Sequence, residues 1–233
     1  MTYDEFQKKY LGQPIDFDGK AGVQCVDLAD LYFRDVIGIK IAEMPWVSGA
    51  REFYTNFAKL PALVKNFDRI PNTKALVAQK GDVVIWSGGS WGHVAIANGE
   101  GNIDWFTSLE QNTLGNHEKA QLVKHWYNNK TGSDACWPVA GVLRPKDQTK
   151  VNGKYLDTGS CYKLGDNTVG SYAVKELLRL AYVKKMHTVV VTDSKKYDDS
   201  ATKAVSALQK SWGYVATGKA GENFVKMIYS KLK

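Results

Sequence analysis

Apolar residues recur along the chain with two different periods, and the switch between them orders the first two thirds. Tyr3, Phe6 and Tyr10 share one helical face and predict a helix over Tyr3–Tyr10. A polar stretch from Gly12 to Gly22 follows. Val26, Ala29, Phe33, Val36 and Ile37 then fall at helical spacing from a start near Cys25, with Gly38 as the stop. Phe53, Phe57 and Leu60 predict a further helix over 50–60. From Gly81 the segments become short and β-rich. VVIW (83–86), HVAIA (93–97) and IDWF (103–106) are separated by the turn-like SGGSWG and NGEGN, and 122–127 and 139–143 are later candidates. Helices followed by a meander of antiparallel strands predict an α+β module.

The polar segment RPKDQTKVNGK (144–154) has no clear period and marks a boundary. Beyond it lie three helical stripes: Val174, Leu177, Leu178 and Ala181; Ala201, Ala204, Val205, Leu208 and Trp212; and Phe224, Val225, Ile228 and Leu232. Three short helices in about 80 residues can just sustain a core of their own. The expected organisation is a first domain over 1–146, a linker over 147–164 and a small three-helix domain over 165–233.

Composition sharpens this division. Of 31 basic and 24 acidic residues, the first 150 positions hold 17 of each, so the whole net charge of +7 lies in the last third. That asymmetry points to a second module facing a polyanion, or to a solvated lysine-rich surface. Nucleic acid, anionic lipid and an acidic wall polymer all have the required charge, but no nucleic-acid motif accompanies the lysines. No apolar run approaches the ~18 residues of a membrane span, and the first residues, MTYDEFQKKY, lack the apolar core of a signal peptide.

Three cysteines, Cys25, Cys136 and Cys161, are too few and too widely spaced for a disulfide framework, and no pair has zinc-ligand spacing. Cys25 stands at the predicted start of a helix, preceded by Gln24, where the helix dipole favours a thiolate; a buried packing role is the alternative. His93 opens a strand after a Gly/Ser-rich loop, and Glu110 and Asn112 end the following one. Adjacent antiparallel strands would bring Glu110 near the imidazole, an acceptor to orient a base that takes a thiol proton. Upstream, Asp16, Asp18, Lys20, Gly22 and Asp27 occupy positions 1, 3, 5, 7 and 12 of a twelve-residue loop, the spacing at which EF-hand oxygens converge on calcium. Lys20 and Gly22 would contribute backbone carbonyls. Ala21 stands where such loops have their turn glycine, and Asp27 where they have glutamate. The same residues also read as an acidic turn with an N-cap aspartate.

GVQCVDLADLYF (22–33), GDVVIWSGGSWGHVAIANG (81–99) and LEQN (109–112), in that order, resemble the cysteine, histidine-dependent amidohydrolase/peptidase (CHAP) domain of bacteriophage endolysins, over roughly 10–145. The resemblance implies a papain-like fold in which N-terminal helices, one carrying the nucleophile, pack on an antiparallel sheet carrying the base. It implies Cys25 as nucleophile, His93 as general base, Glu110 as its orienter, Asn112 in support, Gln24 at the oxyanion and Trp91 lining the substrate groove, or else plugging its loop. Calcium-dependent lytic members have a similar acidic pattern before their cysteine, which favours calcium as the cofactor here. YAVKELLRLAY, DDSATKAVSALQKSWGY and TGKAGENFVKMI resemble the three-helix peptidoglycan-binding domain, although the usual aspartate-glycine pair is replaced by Thr217-Gly218.

Together these resemblances imply a cysteine-dependent peptidoglycan hydrolase, an N-acetylmuramoyl-L-alanine amidase or an endopeptidase. Its partners would be peptidoglycan and associated anionic wall polymers, with no nucleic acid and no membrane insertion. A phage enzyme of this kind is made in the host cytoplasm without a signal peptide, reaches the wall through a holin and is expected to be a monomer. A secreted bacterial autolysin and a non-catalytic wall-binding or adhesin module are the alternatives; the presence of Cys25, His93 and Glu110 together speaks against the latter.

Overall fold

The computed structural model describes residues 1–113, 115, 117–127 and 138–233; Cys136 lies outside them. The chain forms two compact units, Met1–Asn152 and Gly153–Lys233.

The first unit begins with α1 (Tyr3–Tyr10). Thr2 and Glu5 exchange side-chain and backbone hydrogen bonds in a capping box, which satisfies two of the helix's orphan N–H groups. α2 (Cys25–Tyr32) continues through a π-helical turn, Phe33–Ile37, to Gly38, which closes it at φ 80°, a conformation glycine adopts without strain. The helix expected over 50–60 is broken. A short α3 (Glu52–Thr55) and a 3₁₀ turn (Phe57–Lys59) lead into α4 (Pro61–Asn66), whose first residue is a proline, a position where the missing N–H is harmless.

Six antiparallel strands follow: β1 (Phe67–Pro71), β2 (Val83–Trp86), β3 (His93–Gly101), β4 (Trp105–Glu110), β5 (Gln121–Trp126) and β6 (Val139–Pro145). Their order in the sheet is β1-β6-β2-β3-β4-β5. β2 to β5 form the meander read from the sequence, while β6 returns to lie between β1 and β2. β1 is an edge strand with only Phe67 buried, and its Asp68, Arg69 and Pro71 hide it from a search for apolar alternation. β4 starts later than expected because the Asn102 side chain accepts from the Asp104 and Trp105 N–H groups and prolongs the turn.

The sheet is buried on both faces, which explains why VVIW contains no polar residue. Val83 and Ile85, with Val94, Ile96 and Leu109, meet Phe6, Leu28, Tyr32, Phe33 and Phe53 from the helices. Val84 and Trp86, with Ala95, Ala97, Phe106, Tyr127 and Val142, form a second cluster. Alternating side chains point to opposite faces, and each large residue buried in this way contributes roughly 1.5–3 kcal/mol.

In the second unit α6 (Val169–Val183), α7 (Asp199–Ser211) and α8 (Glu222–Leu232) carry the three expected stripes. Val174, Leu178, Val205, Leu208, Phe224 and Ile228 meet in one core. A buried Lys175 ammonium is held by Thr192, Ser194, the Lys196 carbonyl and Asp198. Segment 147–164, read as a linker, instead completes both units. Gln148–Asn152 is a short helix, α5, that buries Val151 in the first core. Leu156 and Tyr162 belong to the second core, and the Asp157 carboxylate accepts from the N–H groups of Gly221, Asn223 and Phe224 at the start of α8. Polar residues engaged in capping look the same in sequence as polar residues in a solvated linker.

Candidate active site

The first residue of α2 is Cys25 and the first residue of β3 is His93. Gly92 has φ 71°, and a Cβ there would lie 2.4 Å from the Trp86 carbonyl oxygen, so only glycine lets the chain enter β3 at this point. His93 is 4% exposed and Glu110 is wholly buried. Cys25 and Glu110 both act on the imidazole, whose Nε2 lies 3.6 Å from Glu110 Oε1. The sheet thus joins the end of β4 to the start of β3 as the strand order predicted. Burial alone would push the His93 pKa down; its interactions with Cys25 and Glu110 outweigh it and raise it to about 10. Burial likewise opposes ionisation of Glu110, but His125 and His93 hold its carboxyl well below the usual range.

Glu110 has more partners than His93. Its Oε2 accepts from His125 Nε2 and from Ser108 Oγ, each at 2.7 Å, and its Oε1 accepts from Thr113 Oγ1. His125, on β5, went unnoticed in the sequence. The signal was its place beside β4 in a meander, where it pairs with Phe106.

Gln24 and Asn112 bond each other: Asn112 Nδ2 donates to Gln24 Oε1 at 3.2 Å, while Gln24 Nε2 donates to the Ala21 carbonyl at 2.9 Å. Gln24 Nε2 also lies 3.5 Å from His117 Nδ1. Asn112 adopts a left-handed backbone conformation, φ 55°, which asparagine tolerates better than most residues. Gln111, also missed, is buried and binds three backbone groups. Its Oε1 accepts from Ile15 N–H, and its Nε2 donates to the carbonyls of Ile15 and Gln24. Trp91 is 65% exposed and its carbonyl accepts from Arg51 N–H at 3.0 Å, so the indole is presented outward rather than plugging the loop.

Of the five loop residues, Asp16, Asp18 and Asp27 bring carboxylate oxygens within 4.8 Å of one another. Lys20 and Gly22 have only backbone carbonyls to add. Asp27 also closes the loop: its carboxylate accepts from the N–H groups of Phe17, Asp18 and Gln24. Asp30, one turn further along α2, has a buried Oδ1 without a hydrogen-bond partner among the described residues. Burial first, and then the charges of Asp27 and Asp18, raise its pKa to about 8. Converging hard oxygen donors beside an uncompensated negative field fit a hard divalent cation.

A helix-borne thiol, a strand-borne histidine and a buried carboxylate thus lie in one unit, the last two 3.6 Å apart. Residues 15–112, within the first unit, match the CHAP domain. Over 162 residues the chain is 30% identical to the endolysin PlyTW of Staphylococcus phage Twort, an alignment covering 66% of this chain and 32% of that protein. The chain thus spans about a third of the curated relative it matches. A crystal structure of the wild-type endolysin LysIME-EF1 aligns with a TM-score of 0.43 and 24% identity, covering 64% of this chain and 67% of that one.

Proposed function

We propose that the chain is a phage peptidoglycan hydrolase that cleaves an amide or peptide bond of the bacterial wall through Cys25, His93 and Glu110. The observation that carries this reading is the buried His93 3.6 Å from the wholly buried Glu110, with Cys25 acting on the same imidazole, together with the likeness to a phage endolysin. Cys25 hands its proton to His93, and the thiolate attacks the scissile carbonyl carbon. The oxyanion that forms is stabilised by the Cys25 backbone N–H, which at the first helical residue has no intrahelical partner, and by the Gln24 amide, which would turn from its loop contacts to reach it. His93 protonates the leaving amine, the C–N bond breaks and a thioester remains. Water, deprotonated by His93, then releases the acid and restores the thiol. Glu110 stabilises the imidazolium in both halves of the cycle. Trp91 offers an exposed aromatic face beside the base for the substrate chain.

Calcium is part of this reading. Asp16, Asp18 and Asp27, with the carbonyls of Lys20 and Gly22, would hold it, and the ion would supply rigidity to the loop that precedes Cys25. The second unit, with its excess of positive charge, would bind anionic wall polymers and concentrate the enzyme on its substrate. The protein would act as a monomer on the wall after holin-dependent release from the host cytoplasm. The test is mass spectrometry of wall digests: new amino termini identify an endopeptidase, and free muramic acid carboxyls with released L-alanine termini identify an amidase. Intact walls after exposure to folded protein with calcium reject the reading.

A further inference from the structure

Resting on the cysteine-histidine reading above, we propose that His125 is a positioning residue for the reaction centre: it pins one oxygen of Glu110 so that the other stays turned to His93. The two carboxylate oxygens have different work. Oε2 accepts two hydrogen bonds, from His125 Nε2 and Ser108 Oγ, both at 2.7 Å. Oε1 accepts from Thr113 Oγ1 and faces His93 Nε2 at 3.6 Å. A carboxylate only accepts, so the hydrogen in the 2.7 Å contact sits on His125 Nε2.

The ring that supplies this hydrogen is itself clamped. His125 is 1% exposed. Its centroid lies 4.9 Å from that of Trp86 in an edge contact and 5.6 Å from that of Phe106. The same Trp86 lies 5.1 Å from the His93 ring, so one indole sets the base and the residue that anchors the base's partner. Without the Oε2 anchor, the carboxylate could rotate about its last torsion and carry Oε1 away from His93. The 3.6 Å separation is longer than a hydrogen bond. It shortens as positive charge develops on His93, and it does so without reorganisation only if Glu110 is already held.

The test measures alkylation of Cys25 by iodoacetamide in the full-length protein across pH, read by mass spectrometry of the Cys25 peptide with the Cys161 peptide as reference, alongside kcat and KM for wall hydrolysis. His125→Phe keeps a ring of similar shape and removes the donor; His125→Gln places an amide N–H at similar reach. The expected result is a fall of about ten- to a hundredfold in neutral-pH alkylation and in kcat for H125F, with KM little changed and most of the loss recovered in H125Q. Wild-type behaviour of a folded H125F, or a folded H125Q as impaired as H125F, overturns the proposal alone. A wild-type Cys25 no more reactive than Cys161 overturns the cysteine reading and the proposal with it. If H125F does not fold, nitrogen-15 histidine spectra of the wild-type protein decide: His125 Nε2 must carry a proton from pH 6 to 9, and a deprotonated Nε2 overturns the role.

Discussion

Gln111 Nε2 donates to the Gln24 carbonyl at 2.6 Å, so the residue after Glu110 grips the residue before Cys25. The same side chain holds both backbone groups of Ile15. One buried amide thus joins the end of β4, the start of α2 and the beginning of the acidic loop. Gln111→Ala would leave these backbone groups unsatisfied, at about 1–3 kcal/mol. The expected outcome is a lower melting temperature and reduced alkylation of Cys25. Gln111→Glu should be similarly damaged, since a carboxylate cannot donate to two carbonyls. A variant with wild-type melting and reactivity would remove Gln111 from the account.

Cys25→Ser should abolish wall hydrolysis while leaving the far-ultraviolet spectrum and melting temperature near wild type, because a hydroxyl lacks the thiolate's nucleophilicity. His93→Ala should lose activity to the same extent. Glu110→Ala should retain more of it, since an orienter is more dispensable than a base. Cys136→Ser and Cys161→Ser should remain active, and loss in either would mean that the nucleophile is misassigned. Turbidity clearing of wall suspensions measures all five.

The pH dependence has a definite sign. His93 is raised from the ordinary 6.5 to about 10 in the folded protein. Its contribution to stability is therefore complete below about 6.5 and is lost as pH rises through about 10. Glu110→Gln removes one of the interactions that raise this value, so the loss should begin at lower pH. Histidine NMR titration and thermal melts between pH 6 and 10.5 follow both effects. Titration of wild-type His93 near 6.5 would contradict the coupling to Cys25 and Glu110.

Chelation should lower the melting temperature and slow hydrolysis, and calcium should restore both, because a ligand that binds only the folded state stabilises it by mass action. Asp16→Ala combined with Asp18→Ala should erase the calcium response. Asp27 is left intact in that variant because it also caps the loop. Calorimetry that detects no binding at millimolar calcium would reduce the three aspartates to an acidic turn.

Residues 153–233, produced alone, should fold and label isolated walls, with part of the binding lost at high salt as charges are screened. Asp157→Ala removes the acceptor of three N–H groups at the start of α8 and should destabilise this unit by about 1–2 kcal/mol. Residues 1–152 should cleave soluble wall fragments normally but clear cells more slowly. Equal clearing by both forms, with no labelling at any salt, would assign the positive charge to solubility.

Much of the fold was legible because its signals are local. The periodicity at Tyr3–Tyr10, the all-apolar VVIW and the three C-terminal stripes each record which faces are buried. β1 and α5 were not legible, because an edge strand and a five-residue helix bury one residue each and their polar positions carry no period. Cys25, His93 and Glu110 stood out through motif and strand adjacency. His125 and Gln111 did not, since their importance lies in hydrogen bonds made across 15 and 87 residues of sequence. The segment 147–164 misled for a related reason: Asp157 finds its partners 64 to 67 residues away.

The strand order bears on how this protein is made. Cys25, His93, Glu110 and His125 have all been synthesised by residue 125, but β6 joins β1 to β2 only after Pro145 has followed. A chain emerging from the ribosome therefore holds every reactive group while the sheet's interior still lacks a strand, and the edges of β1 and β2 remain unpaired. Such long-range closure is slow compared with local helix formation. The sheet that carries His93, Glu110 and His125 therefore closes only when the last strand of the first unit has been made.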